Sequence, residues 1–260
     1  MARWGVLALL IALLSGQAFA AAADDVAATF DRAEIWIKPP GGPFFNGRLE
    51  EPDIARLLAA IPADTRLPTV VLMHGCSPKK GAAWTYARWF AGQGFAAIIP
   101  DSFQRRGRPA TCNPGTLARA DAATADAVHV LRLEEIAYAA QRVRALPFVD
   151  AENLFLLGDD EGGDAVANYA GGGFVAYIVA GTGCRYGIRV HGEAPLLALT
   201  SRGDPHLGAV PPDGCRRMAE AQGRAVEAVV LPGFWHDVSG MPEARAAIQA
   251  FIGRHRTGGD

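Results

Sequence analysis

Asn153-Leu154-Phe155-Leu156-Leu157-Gly158-Asp159-Asp160-Glu161-Gly162-Gly163 is the stretch that decides the fold. Leu154 to Leu157 read as a buried strand, and the glycine-rich acidic run after them reads as a sharp turn into a helix. The spacing is that of a nucleophile elbow, G-x-S-x-G, with Asp160 in the seat of the serine. Gly158 and Gly162 leave room for the strained turn, and Gly163 lets the following helix pack close to the sheet. What a carboxylate can do in that seat decides the chemistry.

The flanking sequence repeats the strand–helix alternation. Ala33 to Lys38 alternates as an edge strand, and Pro39 to Asn46 reads as a turn region. Leu67 to Met73 is a buried strand running into His74-Gly75-Cys76-Ser77, followed by a helix from about Ala82 to Gln93. Phe95 to Ile99 is the next strand and ends at Pro100-Asp101-Ser102-Phe103. Arg105 to Asp121 reads as a polar loop, and a helix near Val130 to Ala145 precedes the elbow strand. Gly162 to Tyr169 starts the helix after the elbow. Phe174 to Ala180, Leu196 to Thr200 and Val226 to Leu231 are further strands, and Pro242 to Arg254 is a closing helix. This pattern predicts a mostly parallel sheet with helices on both faces, whose ligands sit beyond the carboxyl ends of the strands.

Composition narrows the class. Half of the 260 residues are hydrophobic and the formal net charge is −2, so one large α/β core is the default and nothing resembles a nucleic-acid footprint. Arg3, the apolar run Val6 to Leu14 and Ala18-Phe19-Ala20 form a signal peptide cut after Ala20, leaving residues 21–260 as a single domain. No later segment is apolar enough to span a bilayer, so the mature chain is expected free of the membrane, in the periplasm or secreted. In an oxidising compartment Cys76, Cys112, Cys184 and Cys215 are expected in disulfides, and four cysteines allow three pairings. No closely spaced Cys/His set calls for a metal, and no motif calls for a cofactor.

In α/β-hydrolases the triad runs nucleophile, acid, histidine along the chain. Here that order gives Asp160, Asp204 and His236, the last two each following a strand. His236 is the candidate base, with Asp204 orienting it and Asp213 as the alternative acid. The backbone N–H groups of Cys76 and Glu161 are the candidate oxyanion donors. Val71-Leu72-Met73-His74-Gly75-Cys76, Pro100-Asp101-Ser102-Phe103 with Arg106-Gly107, Pro147-Phe148-Val149-Asp150, the elbow, and Pro232-Gly233-Phe234-Trp235-His236 occur in that order. Together they resemble the dienelactone hydrolase family of α/β-hydrolases in an exported form. The resemblance implies seven or eight strands, no cap domain, and hydrolysis of a small ester or lactone. It also implies the pairs Cys76–Cys112 and Cys184–Cys215. The chain departs from the family at Asp160, where Cys or Ser is usual, and at Ser201, where a glycine is usual.

Two readings follow from Asp160. A carboxylate attacking a saturated carbon gives an alkyl ester that His236 could help hydrolyse, a pattern similar to haloalkane dehalogenases and epoxide hydrolases. Those families carry a cap, and the short span from Ala180 to Leu196 leaves no room for one. Alternatively the hydrolase scaffold is catalytically silent and binds a ligand or partner. Asp159, Asp160, Glu161 and Asp164 would then form an acidic helix start that repels anions. His74 reads as a loop-shaping residue. His206 and Asp101 lie near the pocket with no role assigned, and Ser77, Ser102 and Ser239 read as turn or cap serines near its rim.

Overall fold

The computed structural model describes residues 25–78, 80–113 and 118–258. The leader read over residues 1–20 lies outside them. Eight strands form a sheet in the order β2-β1-β4-β3-β5-β6-β7-β8. At one edge β1 (Glu34–Ile37) pairs antiparallel with β2 (Phe45–Arg48) and with β4 (Ala96–Ile99). The other pairings are parallel. They join β4, β3 (Leu67–Met73), β5 (Val149–Asp159), β6 (Ala176–Ala180), β7 (Leu196–Ser201) and β8 (Glu227–Leu231).

Burial on both faces explains the composition of the central strands. β3 is buried at every position, and its side chains alternate between two cores, Val71 and Met73 in one, Val70 and Leu72 in the other. β5 divides the same way, with Leu154 and Leu156 against Phe155 and Leu157. Helices α1 (Pro52–Ala59), α3 (Ala122–Arg144), α4 (Glu161–Asn168) and α5 (Gly214–Ala221) supply buried residues to the first core. Helices α2 (Gly81–Gly92) and α6 (Pro242–His255) supply the second, through Tyr86, Phe90, Ile248 and Phe251. Residues 181–195 join β6 to β7 with no helix or strand between them, so nothing caps the sheet there. No helix among the described residues is long and apolar enough to cross a membrane.

Some elements differ from the sequence expectation. The expected turn over Pro39 to Asn46 gives way to β2 at Phe45. The polar run of β2 carries no apolar alternation of its own, and it becomes a strand by pairing with β1. Helix α3 starts at Ala122, well before Val130, because Asp121 caps it by accepting the Thr124 N–H at 3.0 Å. Its first turns carry no clear apolar stripe, since His129, Arg132 and Glu135 are themselves buried. Helices α1 and α5 were not anticipated. The start of α1 is marked by Pro52 and Asp53, while α5 buries only Gly214, Cys215 and Ala219.

The elbow sits where β5 meets α4 against the end of β3. A Cβ on Gly162 would lie 2.1 Å from the Met73 carbonyl oxygen, and one on Gly158 would lie 2.2 Å from the Gly162 carbonyl oxygen. Gly162→Ala is therefore expected to lower the free energy of unfolding by about 3 kcal/mol in chemical denaturation. Gly253→Ala, inside α6 with open space around it, is expected to raise it by up to about 1 kcal/mol.

Candidate active site

At the carboxyl ends of the strands, Cys76 follows β3, Asp160 follows β5, Asp204 follows β7 and His236 follows β8. Asp160 has φ 52° and ψ −116°, a backbone conformation that costs a non-glycine residue about 1–3 kcal/mol. Its N–H donates to the Ala180 carbonyl at 2.9 Å, and its carbonyl accepts from the Asp164 N–H at 3.1 Å, which fixes the turn.

The Asp160 carboxylate is almost fully buried and meets three donors. Oδ2 accepts the Cys76 backbone N–H at 3.2 Å. Oδ1 accepts from Arg119 Nη2 at 2.8 Å and lies 3.5 Å from His236 Nε2. On its far side, His236 Nδ1 is 2.9 Å and 3.1 Å from the two oxygens of Asp204, so Asp204 orients the ring. Asp213 instead pairs with Arg216 and Arg217 on its own helix. Ser201, the departure from the usual glycine, donates its hydroxyl to the Trp235 carbonyl at 2.5 Å and so ties β7 to the residue before His236. His206 stacks on His236 with ring centroids 4.1 Å apart and accepts from Arg119 at 3.3 Å.

Arg119 was not anticipated. It lies in the polar segment read as a loop, and only the folded arrangement brings it to the site. Cys76 and Cys112 form a disulfide, Thr111 N–H donates to the Cys76 carbonyl at 3.2 Å, and Cys112 bridges to Arg119. The sulfurs of Cys76 and Cys112 lie close to an Asp160 oxygen, but joined in a disulfide they offer no thiolate to a metal or to a substrate. The second disulfide, Cys184–Cys215, ties the β6–β7 connection to α5.

Beneath the elbow lies a second ionic set. Glu161 bonds Arg108 and Thr111 and lies 3.7 Å from Arg132. Arg132 pairs with Glu135 at 3.0 Å and donates to the His74 carbonyl at 2.6 Å. Ser102 belongs to this set, donating to Glu135 and accepting from Arg108, so it sits below the elbow rather than at the pocket rim. Ser239 forms a local turn with Asp237, and Ser77 lines a cleft. His74 is buried and uncharged. Its Nε2 accepts the Ser102 N–H, which leaves Nδ1–H to donate to the Gly75 carbonyl, a loop-shaping role. Asp101 is neutralised by Lys80 at 2.9 Å.

The four carboxylates at the helix start therefore face four surroundings rather than forming one acidic cluster. Glu161 points down into the ionic set. Asp164 accepts from Thr182 at 2.5 Å and pairs with Arg185 at 3.1 Å. Asp160 meets Arg119 and His236, and Asp159 lines a cleft of about 270 Å³ beside it. Arg119 offsets the acidity expected there.

Burial alone would raise the Asp160 carboxyl, but His236 and Arg119 outweigh it and hold the group well below the usual carboxylate range. Burial pushes the His236 imidazole down, but Asp160 and Asp204 outweigh that and raise it to about 10. At neutral pH the resting pair is carboxylate and imidazolium. Between pH 6.5 and 10 the folded chain thus binds more protons at His236 than the unfolded chain does. The stabilisation is complete below pH 6.5 and is lost as pH rises through about 10. Unfolding free energy, followed by denaturation at successive pH values, is expected to fall across that window. His236→Gln is expected to remove most of the decline above pH 8.

No protein-family model and no curated protein matches the chain. Solved structures do. The chain is similar to a protein of Klebsiella pneumoniae assigned as a dienelactone hydrolase, with 19% identity over 74% of this chain and 88% of that one, and a TM-score of 0.51. It is similar to a Xanthomonas campestris α/β serine hydrolase without a lid, with 16% identity, coverage of 76% and 87%, and a TM-score of 0.52. Est1E from Butyrivibrio proteoclasticus matches with 13% identity, coverage of 86% and 93%, and a TM-score of 0.55. Against dipeptidyl peptidase 4 of Porphyromonas gingivalis, 85% of this chain matches at 13% identity and TM-score 0.54 but spans only 35% of that longer chain. The chain has the fold of the α/β-hydrolases that carry no lid.

Proposed function

We propose that the protein is an exported hydrolase that attacks a saturated carbon of a small substrate through Asp160, forming an alkyl ester of that carboxylate. The observation that carries this reading is the arrangement of Asp160 itself. It is ionised, its Oδ2 is anchored on the Cys76 N–H, and its Oδ1 faces a histidine oriented by Asp204. Attack on the carbonyl of an ester or lactone, the substrates the family resemblance implies, would give an anhydride and is a poor route. Attack on a saturated carbon displaces a leaving group and needs no oxyanion donor in that first step.

The second step follows from charge. Forming the ester removes the negative charge on Asp160 that holds the imidazolium, so His236 gives its proton to solvent. The neutral imidazole then takes a proton from water, and the water oxygen adds to Cγ of Asp160. Negative charge develops on Oδ2, where the Cys76 N–H already points, with the Glu161 N–H as the proposed second donor. Collapse breaks the bond from Cγ to Oδ1, which leaves with the substrate's carbon and takes the proton from His236. The freed carboxyl returns its own proton to the imidazole and restores the ion pair.

One observation favours the silent scaffold as a second reading. Arg119 donates to Oδ1, the oxygen that has to attack, and must leave it first. Export is supported by the two disulfides, which persist in oxidising compartments. Clefts of about 180 and 270 Å³ beside Asp160 support a small molecule as the substrate.

His236→Gln, exposed to small epoxides, haloalkanes, lactones and esters, is expected to gain the mass of the alkyl group on the peptide holding Asp160. Asp160→Asn is expected to gain none. One turnover of the wild type in H2(18)O is expected to place the label in Asp160 rather than in the product. If no compound alkylates His236→Gln while Asp160→Ser gains hydrolysis of short p-nitrophenyl esters, the silent scaffold replaces the proposed enzyme.

A further inference from the structure

Asp159, the residue before the elbow seat, has a place in the site that the steps above do not use. It lines the 270 Å³ cleft together with Asp160, His236, Asp237, Ser77 and Lys80. It is 7% exposed, and its Oδ1 is buried without a hydrogen-bond partner. A buried polar atom left unpaired costs about 1–3 kcal/mol, and a group from a bound substrate would relieve it. Asp159 also lies alongside the attacking carboxylate. A Cβ on Gly75 would be 3.2 Å from Asp160 Oδ2 and 3.5 Å from Asp159 Oδ2, so both carboxyl groups converge on the bare face of that glycine.

We propose that Asp159 is the general acid of the site, giving its proton to the oxygen that departs when Asp160 attacks, and that the substrate is accordingly a small epoxide. This rests on the proposed attack by Asp160. The choice of substrate follows from the leaving group. A halide or a carboxylate leaves as a stable anion and needs no proton. The oxygen of a strained ring ether leaves as an alkoxide, a strong base that requires one.

The charges around Asp159 favour a carboxyl that holds its proton at neutral pH. Burial pushes it up to about 8, and the negative charges of Asp160, Asp237 and Asp204 act in the same direction, while the His236 imidazolium opposes them. Tyr86 on α2 has a buried, unpartnered hydroxyl, its pKa pushed up by burial, then by the charges of Asp159 and Asp237, and opposed by Arg245 of α6. Lys80 lines the same cleft but is engaged by Glu34 at 3.0 Å and Asp101 at 2.9 Å. His206, also on the cleft, has its pKa lowered by burial and by the charges of His236 and Arg119.

The step balances. Asp160 Oδ1 bonds to a ring carbon and the ring C–O bond breaks. Its electron pair goes to the oxygen, which takes the proton of Asp159. Negative charge has then moved from Asp160 to Asp159. The proton that His236 releases on ester formation restores Asp159 by way of solvent. Hydrolysis of the ester adds one water, and the sum is epoxide plus water giving a diol.

The test measures ester formation on Asp160 by rapid quenching and intact mass, with 1,2-epoxybutane and 1-bromobutane as probes. Asp159→Asn is expected to lower the ratio of the epoxide rate to the bromide rate by about 10²-fold. In the wild type, the epoxide rate is expected to fall as pH rises through about 8, a limb absent from the bromide rate. That second readout holds even if the variant folds poorly. An unchanged ratio, or the same pH limb with both probes, overturns the proposal. Alkylation by the bromide but not by the epoxide overturns the role of Asp159 alone. A protein whose mass neither probe changes overturns the role of Asp160, and that of Asp159 with it.

Discussion

The ionised carboxylate of Asp160, buried at the centre of the sheet's carboxyl edge, is the constraint on which the site depends. A serine in that seat would ask only for one hydrogen bond and some room. A buried charge costs several kcal/mol unless it is paired and hydrogen-bonded. The chain answers from three separate segments: the loop after β3 supplies the Cys76 N–H, the segment before α3 supplies Arg119, and the loop after β8 supplies His236. These segments have no reason of their own to meet. The Cys76–Cys112 disulfide joins the first two, and the Ser201–Trp235 hydrogen bond tethers the third to β7.

The second ionic set holds the floor on which this rests. Glu161 is the first residue of α4, and its bonds to Arg108 and Thr111 fasten the same segment that carries Cys112 and Arg119. The two sets share a backbone on both sides, so a shift in one moves the other. Removing one partner of such a pair strands the other as a buried charge, which typically costs about 3–5 kcal/mol. Coupling of this kind favours one arrangement of the elbow over a continuum of them.

The strands of the sheet's core were legible because burial on both faces writes them as short apolar runs. Asp204 and His236 were legible because each follows such a run at the sheet's carboxyl edge. β2 was hidden because its Phe45-Asn46-Gly47-Arg48 run owes its strand form to pairing with β1. The start of α3 was hidden because His129, Arg132 and Glu135 occupy core positions and blur the helical stripe. Arg119 had no local mark at all. Its role depends on a disulfide and on contacts far along the chain. The acidic run at the elbow was read as one acidic helix start. Across a sharp turn from strand to helix, however, consecutive side chains point in different directions, and each carboxylate found its own surroundings.

An intact histidine–aspartate pair does not by itself separate a working site from a relic, because a raised imidazole is as useful for holding a buried carboxylate as for moving protons. With its pKa raised to about 10, His236 is a counter-ion at neutral pH, and as a counter-ion it is no base. What could make it one is the loss of the negative charge on Asp160, and forming a covalent ester does that. The same event would free Arg119 from its partner. A resting state that looks locked is therefore what an aspartate nucleophile in this fold requires, since the same groups must stabilise the carboxylate before attack and release it afterwards. Attack requires Arg119 to leave Oδ1 before a substrate can reach it. The Arg119 side chain is about one-third exposed, more than that of His236, so it is the partner that can move most readily.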